Sequence, residues 1–199
     1  ALGFERFAVV GHDRGARVAH RMALDHGEAV SRAALLDIVP TREVFARVDA
    51  AAARSYYHWF FLIQPAELPE RLIAGDPEYY LRRQLGRWGA DSRIHSEAAM
   101  AEYLRCFRRP ETIHASCEDY RAAASIDLAH DEADLDRKVE CPLLALWGSR
   151  GVMARYFDVL ATWRERARDV RGRALDCAHY VPEEVPEATA RELKAFLTR

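Results

Sequence analysis

The stretch Val9 to Arg17, VVGHDRGAR, sets one carboxylate, Asp13, between Gly11 and Gly15, directly after an apolar run and directly before helical spacing. The form is G-x-D-x-G at a strand-to-helix junction. In the serine version of this turn the central residue adopts a strained backbone position that lifts its side chain above a sheet, and flanking glycines keep Cβ atoms clear. The same geometry would present a carboxylate. Two readings stay open: Asp13 caps the helix that starts at Arg14, or it is a nucleophile, which the strand before it and the helix after it favour. A serine attacking a saturated carbon that bears a leaving group forms an ether, which water does not readily cleave. A carboxylate forms an ester, which an activated water opens at the carbonyl, so one hard displacement becomes two easier steps.

Arg14 and Arg17 follow at the start of the helix. A helix N-terminus already carries about half a positive charge, so cations there are unfavourable by about 0.3 to 1 kcal/mol each unless an anion sits among them. Three residues apart, the two are neighbours on the helix surface, and guanidinium forks match carboxylates bidentately. The pair suits a small carboxylate-bearing substrate. The alternative is that Arg17, like Arg21, is solvated surface.

A nucleophilic carboxylate needs a base to activate water and a group to orient that base. Of eight histidines, His20 and His26 fall on the helix body or its end. His95, His114 and His130 lie in polar segments, and His12 sits inside the elbow, where packing is its expected job. His179 differs: in LDCAHYVPEE it follows the last strand, where open α/β sheets place reactive loops. A surface-loop histidine is the alternative. For the orienting acid, the loop after LLALWG offers SRGVMARYF with no nearby carboxylate, whereas AALLDIV offers Asp37 at the end of an apolar run. A charge in that company needs a partner such as His179, unless Asp37 only caps a turn. The run YYHWFF offers His58 and Trp59, either as aromatic core or as N–H donors to a departing anion; indole nitrogen donates and does not accept.

The elements that must position these groups follow from periodicity. Phe7–Val10 reads as a strand covered on both faces and ended by Gly11, Arg14–His26 as a helix stopped by Gly27, and Ala33–Val39 as a second strand ended by Pro40. Such a crossover makes the strands parallel. Cys141–Gly148 and Val170–Cys177 read as further strands, with helices over Ala154–Ala167 and Pro186–Leu197. Between 41 and 140 the texture is aromatic and charged with helical spacing, without a convincing strand, repeat or flexible linker, and is expected to form a lid on the sheet. The expected organisation is an α/β core from residues 1–40 and 141–199 with a helical cap over 41–140.

The 199 residues are half apolar, enough for a sizeable core, and a formal charge of -2 gives no global attraction to nucleic acid or an anionic membrane. Cys106, Cys117, Cys141 and Cys177 form neither a CxxC pair nor a Cys/His cluster, so no zinc site or disulfide framework is indicated, and reduced thiols fit a cytoplasmic setting. No apolar run approaches the roughly 18 residues of a membrane span. The opening ALGFERFAVV reads as the tail of a helix running into a strand, so an upstream portion of the domain is expected to be absent from this chain.

With these residues in hand the sequence resembles the α/β-hydrolase superfamily and, within it, the fluoroacetate (haloacetate) dehalogenases. The resemblance runs through FAVVGHDRGARVAHRMALDH, AALLDIVPT, YYHWFFLIQP, EDYRAAASIDL, ALWGSRGVM and AHYVPEE. A GHDWG-like elbow would point instead to haloalkane dehalogenases or epoxide hydrolases. The resemblance implies an α/β-hydrolase fold with an inserted helical cap, no cofactor and no metal. Its partners would be a small haloacid substrate, neither nucleic acid nor membrane, and, at full length, a second copy in a homodimer.

It further implies that Asp13 displaces halide from the α-carbon while Arg14 and Arg17 hold the substrate carboxylate. His179, oriented by Asp37, then activates water against the ester and glycolate leaves. The halide pocket would comprise His58, Trp59 and Tyr120, with Trp88 walling the access route. One departure stands out: the family's upstream strands and its HG-type loop, which supplies one oxyanion-hole N–H, are missing here. The chain by itself is therefore expected to be aggregation-prone and weak or inactive in ester hydrolysis. The rival expectations are an epoxide hydrolase with the same ester logic and a non-catalytic carboxylate-binding relative.

Overall fold

The structure, a computed structural model, describes residues 3–91 and 94–198. The element order begins with strand β1 (Phe7–His12), helix α1 (Arg14–Asp25) and strand β2 (Val30–Leu36). Eight helices follow: α2 (Thr41–Ala46), α3 (Ala50–Ser55), α4 (Tyr57–Leu62), α5 (Leu68–Gly75), α6 (Pro77–Trp88), α7 (Glu97–Phe107), α8 (Pro110–Ala123) and α9 (Ile126–Ala133). The chain ends with β3 (Leu143–Gly148), α10 (Val152–Tyr156), α11 (Val159–Arg166), β4 (Val170–Leu175), α12 (Val181–Glu184) and α13 (Pro186–Leu197).

The strands form one parallel sheet in the order β1-β2-β3-β4. Ala33 to Leu36 of β2 and Leu143 to Leu146 of β3 are buried, as central strands flanked by crossover helices must be. Each such Leu contributes about 1.5–3 kcal/mol by leaving water. Ala34, Leu36, Leu144 and Leu146 share a core with Leu175, Val181 and Phe196, while the small residues Ala16, Ala19 and Ala23 let α1 lie close on β1 and β2.

The chain divides into two compact units, residues 1–40 with 133–199, and residues 41–132. The second unit contains α2 to α9 and no strand among its described residues, and has its own core of Leu62, Ile73, Ile113 and Cys117. It ends at Glu132, and residues 133–140 group with the first unit. The reason is polar: Asp134 accepts from Arg21, Arg137 donates to the Leu24 carbonyl, and Val139 bridges Ala167. No described helix is long and apolar enough to cross a membrane.

Several element readings need correction. Among the described strands β1 stands at one end of the order, and its Phe7 and Val10 are exposed. It continues through Gly11 to His12, because α1 turns back over it: a Cβ on Gly11 would lie 2.4 Å from the Gly15 carbonyl oxygen. β2 is shifted toward the N-terminus of its expected span, from Val30 to Leu36. Residues 154–167 do not form one helix; the chain breaks at Phe157, and the Asp158 side chain caps α11 by accepting from Ala161 N–H. The helical tail expected ahead of β1 starts at Ala1 and Leu2, which lie outside the described residues, and residues 3–6 are not helical.

Candidate active site

Asp13 lies between the end of β1 and the start of α1 with φ 50° and ψ -122°, a region that disfavours any residue with a Cβ. Its backbone caps the helix, its carbonyl accepting from Ala16 and Arg17 N–H at 3.0 and 3.3 Å, and its own N–H extends the ladder to Leu36. Its side chain makes no capping bond. The carboxylate is therefore free of the role that a normal helix-capping aspartate performs, and 40 % of it remains accessible. Only Gly11 of the two flanking glycines is sterically required, since a Cβ on Gly15 would meet nothing within 4 Å.

Asp37 repeats the device one strand over, directly after β2, with φ 51°. Its N–H donates to the Leu146 carbonyl at 2.8 Å, and its carboxylate is fully committed: Oδ1 accepts from Gly148 N–H at 2.9 Å and Oδ2 meets His179 Nδ1 at 2.6 Å. His179 stands on the loop after β4, buried, with Nε2 3.3 Å from Asp13 Oδ2. Three strand ends thus assemble one chain, Asp13, His179, Asp37. Gly148 brings β3 against the histidine loop, for a Cβ there would sit 1.8 Å from the Ala178 carbonyl oxygen.

Burial by itself would lower the His179 pKa, but its bonds to Asp13 and then Asp37, with their charges, outweigh this and push it up to about 10. Burial would likewise raise Asp13; the bond to His179, and the charges of His179, Arg17 and His12, hold it well below the usual carboxylate range. The two acids flanking the ring thus favour the imidazolium form of His179.

Arg17 is buried, which excludes the solvated-surface alternative, and its Nη1 donates to the Val39 carbonyl at 2.8 Å. Arg14 opens α1 and is half-buried. Arg21 is not solvated surface either; it joins Asp25 and Asp134 at 2.5 and 2.6 Å. His20, on the same helix, is buried edge-on against Trp163, where burial first, then the charges of Arg21 and Arg17, lower it to about 3 and keep it neutral.

Within the helical unit, His58 and Trp59 are buried at the start of α4. The rings of His58 and Tyr120 lie 5.7 Å apart, Trp59 and Tyr120 5.8 Å, and His58 and Trp88 5.3 Å. The four aromatic residues singled out from sequence therefore form one cluster, joined by Tyr56, 5.3 Å from Trp88, which sequence reasoning passed over. Elsewhere in the unit Glu70, His114 and Glu118 converge in a way that could hold a cation. Arg121 already bonds both carboxylates, at 2.7 and 2.5 Å, and this holds Glu70 down to about 2. One guanidinium thus already engages both carboxylates of that cluster.

Two residues hold the histidine loop: His12, expected only to pack, and Glu184, which the sequence did not single out. His12 Nε2 donates to the His179 carbonyl at 2.8 Å and its ring lies 4.7 Å from that of His179. A carbonyl only accepts, so the His12 proton is on Nε2; burial and the His179 charge lower its pKa. Glu184 accepts from the N–H of Ala178 at 2.9 Å and of Tyr180 at 3.0 Å. Neither was readable as spacing, because both depend on how the loop folds back.

The sequence profile of the alpha/beta hydrolase fold family matches residues 1–186. A fluoroacetate dehalogenase from Burkholderia sp is 44% identical over 198 residues, covering 99% of this chain and 65% of that protein. A soluble epoxide hydrolase from Corynebacterium sp. (strain C12) is 31% identical over 190 residues, covering 94% of this chain and 65% of that protein. Among solved structures, that of a protein from Nostoc sp PCC 7120, described as an alpha/beta hydrolase, superposes with a TM-score of 0.97 at 58% identity, over 100% of this chain and 68% of that one. The chain spans about 65% of the length of the two curated relatives.

Proposed function

Since the chain belongs to the alpha/beta hydrolase fold family, we propose that it carries the catalytic residues of a hydrolase that removes halide from 2-haloacetates, fluoroacetate included, through an aspartyl ester. The observation that carries this reading is the uncapped, strained Asp13 linked through His179 to Asp37. A carboxylate held in that conformation makes no capping bond to the helix it begins, and a paired histidine is what hydrolysis of an ester formed on it needs. The Burkholderia relative is named for this activity, which supports the substrate class.

In the first step a carboxylate oxygen of Asp13 forms a bond to the substrate α-carbon as the carbon–halogen bond breaks and its electron pair leaves with the halide. Arg17, anchored at one nitrogen by the Val39 carbonyl, and Arg14 are assigned to the substrate carboxylate. Esterification removes one of the two negative charges that favour protonation of His179, so the ring releases its Nε2 proton to solvent and becomes a base. His179 Nε2 then takes a proton from water as the water attacks the ester carbonyl. The acyl C–O bond breaks, His179 gives the proton it took to the departing glycolate oxygen, and the Asp13 carboxyl returns its own proton to Nε2, which restores the carboxylate and the protonated ring. For the leaving halide we assign, on donor chemistry alone, the N–H groups of His58 and Trp59 and the hydroxyl of Tyr120, since fluoride leaves only where its developing charge is stabilised.

The test is halide and glycolate release from fluoroacetate and chloroacetate, with Asp13→Asn as the control. The proposal expects both products from the active protein and neither from the variant. Diol formation from a simple epoxide without halide release would favour the activity in the Corynebacterium relative's name, and binding of haloacetate without turnover would leave a carboxylate-binding protein.

A further inference from the structure

We infer that Glu184 is a positioning residue for His179, fixing the peptide units on either side of it so that the imidazole stays in line between Asp13 and Asp37. The inference rests on the reading of His179 as the water-activating base. His179 sits on a loop between Leu175, the end of β4, and Val181, the start of α12. The loop passes beneath Gly148, and four of the groups close to the histidine have defined partners: the Ala178 and Tyr180 N–H groups and the Cys177 and His179 carbonyls.

Ala178 N–H donates to Glu184 Oε2 at 2.9 Å and Tyr180 N–H to Glu184 Oε1 at 3.0 Å. The His179 carbonyl between them accepts from His12 Nε2 at 2.8 Å and Val181 N–H at 2.9 Å. Arg150 N–H donates to the Cys177 carbonyl at 3.0 Å. One carboxylate thus closes a ring from the end of α12 back across residue 179. A carboxylate is the side chain suited to this, having two acceptor oxygens and no donor, whereas an amide of the same size would turn an NH2 toward one of the two N–H groups.

Two features separate this from ordinary helix capping. Bonding Tyr180, the residue ahead of α12, alone would serve the helix; the bond to Ala178 lies before the histidine and contributes nothing to α12. The group being held also has little tolerance, since its Nδ1 must stay on Asp37 at 2.6 Å while Nε2 faces Asp13. A displacement of about 1 Å of a catalytic group is enough to lose about 100-fold in rate.

The test compares wild type with Glu184→Gln, Glu184→Asp and, as a neighbouring exposed control, Glu183→Gln. Two readouts are taken: the low-field NMR signal of the His179 Nδ1 proton, and pre-steady-state against steady-state halide release from chloroacetate. Glu184→Gln is expected to shift or broaden the proton signal and to lower kcat by about 10- to 100-fold, with KM and the initial halide burst retained. Glu184→Asp, which keeps both acceptors on a shorter arm, should recover part of the loss, and Glu183→Gln should behave as wild type. An unchanged His179 signal in folded Glu184→Gln, or a burst lowered as far as steady-state turnover, overturns the inference. If wild type releases no halide, the proposed function fails, and the proton signal still decides whether Glu184 holds the histidine. Should Glu184→Gln not fold, the same two readouts on Glu184→Asp decide it.

Discussion

Under the proposed mechanism, replacing Asp37 with Asn should separate the two chemical steps, and the hydrogen bonds of Asp37 say how. Asp37 Oδ1 accepts from Gly148 N–H at 2.9 Å and Oδ2 pairs with His179 Nδ1 at 2.6 Å. An asparagine must keep its oxygen on Gly148 N–H, because an amide NH2 cannot accept there. Its NH2 then faces His179, whose Nδ1 has to become an acceptor, and the ring proton moves to Nε2, the nitrogen that should take a proton from water. The flipped amide would leave the buried Gly148 N–H unsatisfied at about 1–3 kcal/mol, so the useful tautomer falls to roughly one part in 10 to one in 100. The missing charge behind the imidazolium costs a comparable factor again, for a total of roughly 10² to 10⁴ in ester hydrolysis.

Alkylation of Asp13 needs no base and should survive in this variant. Asp37→Asn is therefore expected to release about one equivalent of halide per site and then stall, with a carboxymethyl adduct on the Asp13 peptide by mass spectrometry. Steady-state turnover within tenfold of wild type, or trapped ester on any other residue, would refute the assignment of Asp37 and His179.

The remaining expectations concern charge and packing. Folding raises His179 from its ordinary 6.5 to about 10, so the imidazolium stabilises the fold in full below about pH 6.5 and that contribution is lost as pH rises through about 10. Urea midpoints from pH 6 to 10 should fall in wild type and fall less in Asp13→Asn, which has already lost one partner. Arg17→Lys keeps a charge and gives up the fork that binds Val39 and a carboxylate together; KM for haloacetate should rise by about 10- to 100-fold, as expected for charged hydrogen bonds of about 1.5–3 kcal/mol. The glycines should part company in thermal melts. Gly148→Ala must push back the Ala178 carbonyl 1.8 Å from its new Cβ and should cost about 1–3 kcal/mol, whereas Gly15→Ala meets nothing within 4 Å and should gain about 0.5–1 kcal/mol.

The site was legible in sequence where local rules dictate it. Glycine spacing marked the elbow, a charge closing an apolar run marked Asp37, and the end of a strand marked His179, because parallel sheets deliver the C-terminal ends of their strands to one side. What escaped depends on distant chain meeting distant chain. His12 bonds a carbonyl 167 residues away, and Glu184, one of two adjacent glutamates, looks like solvated charge until the loop returns to it. Gly11 and Gly15 look equivalent in the motif, yet only the first lies beneath the returning helix. Asp134 and Arg137 read as polar insertion until Arg21 and Leu24 prove to be their partners.

β2 and β3 are parallel neighbours, paired from Ala33 with Leu143 to Leu36 with Leu146. Joining such strands obliges the chain to return from one end to the other, for which about a dozen residues suffice. Residues 41–132 greatly exceed that need, and they carry an apolar core of their own in Leu62, Ile73, Ile113 and Cys117. Most of their sequence owes nothing to the strand ladder, so it is free to vary in length and side chains without disturbing the register that brings Asp13, Asp37 and His179 together. Sequence variation among relatives of this chain should accordingly concentrate in that segment, with Asp13, Asp37 and His179 retained.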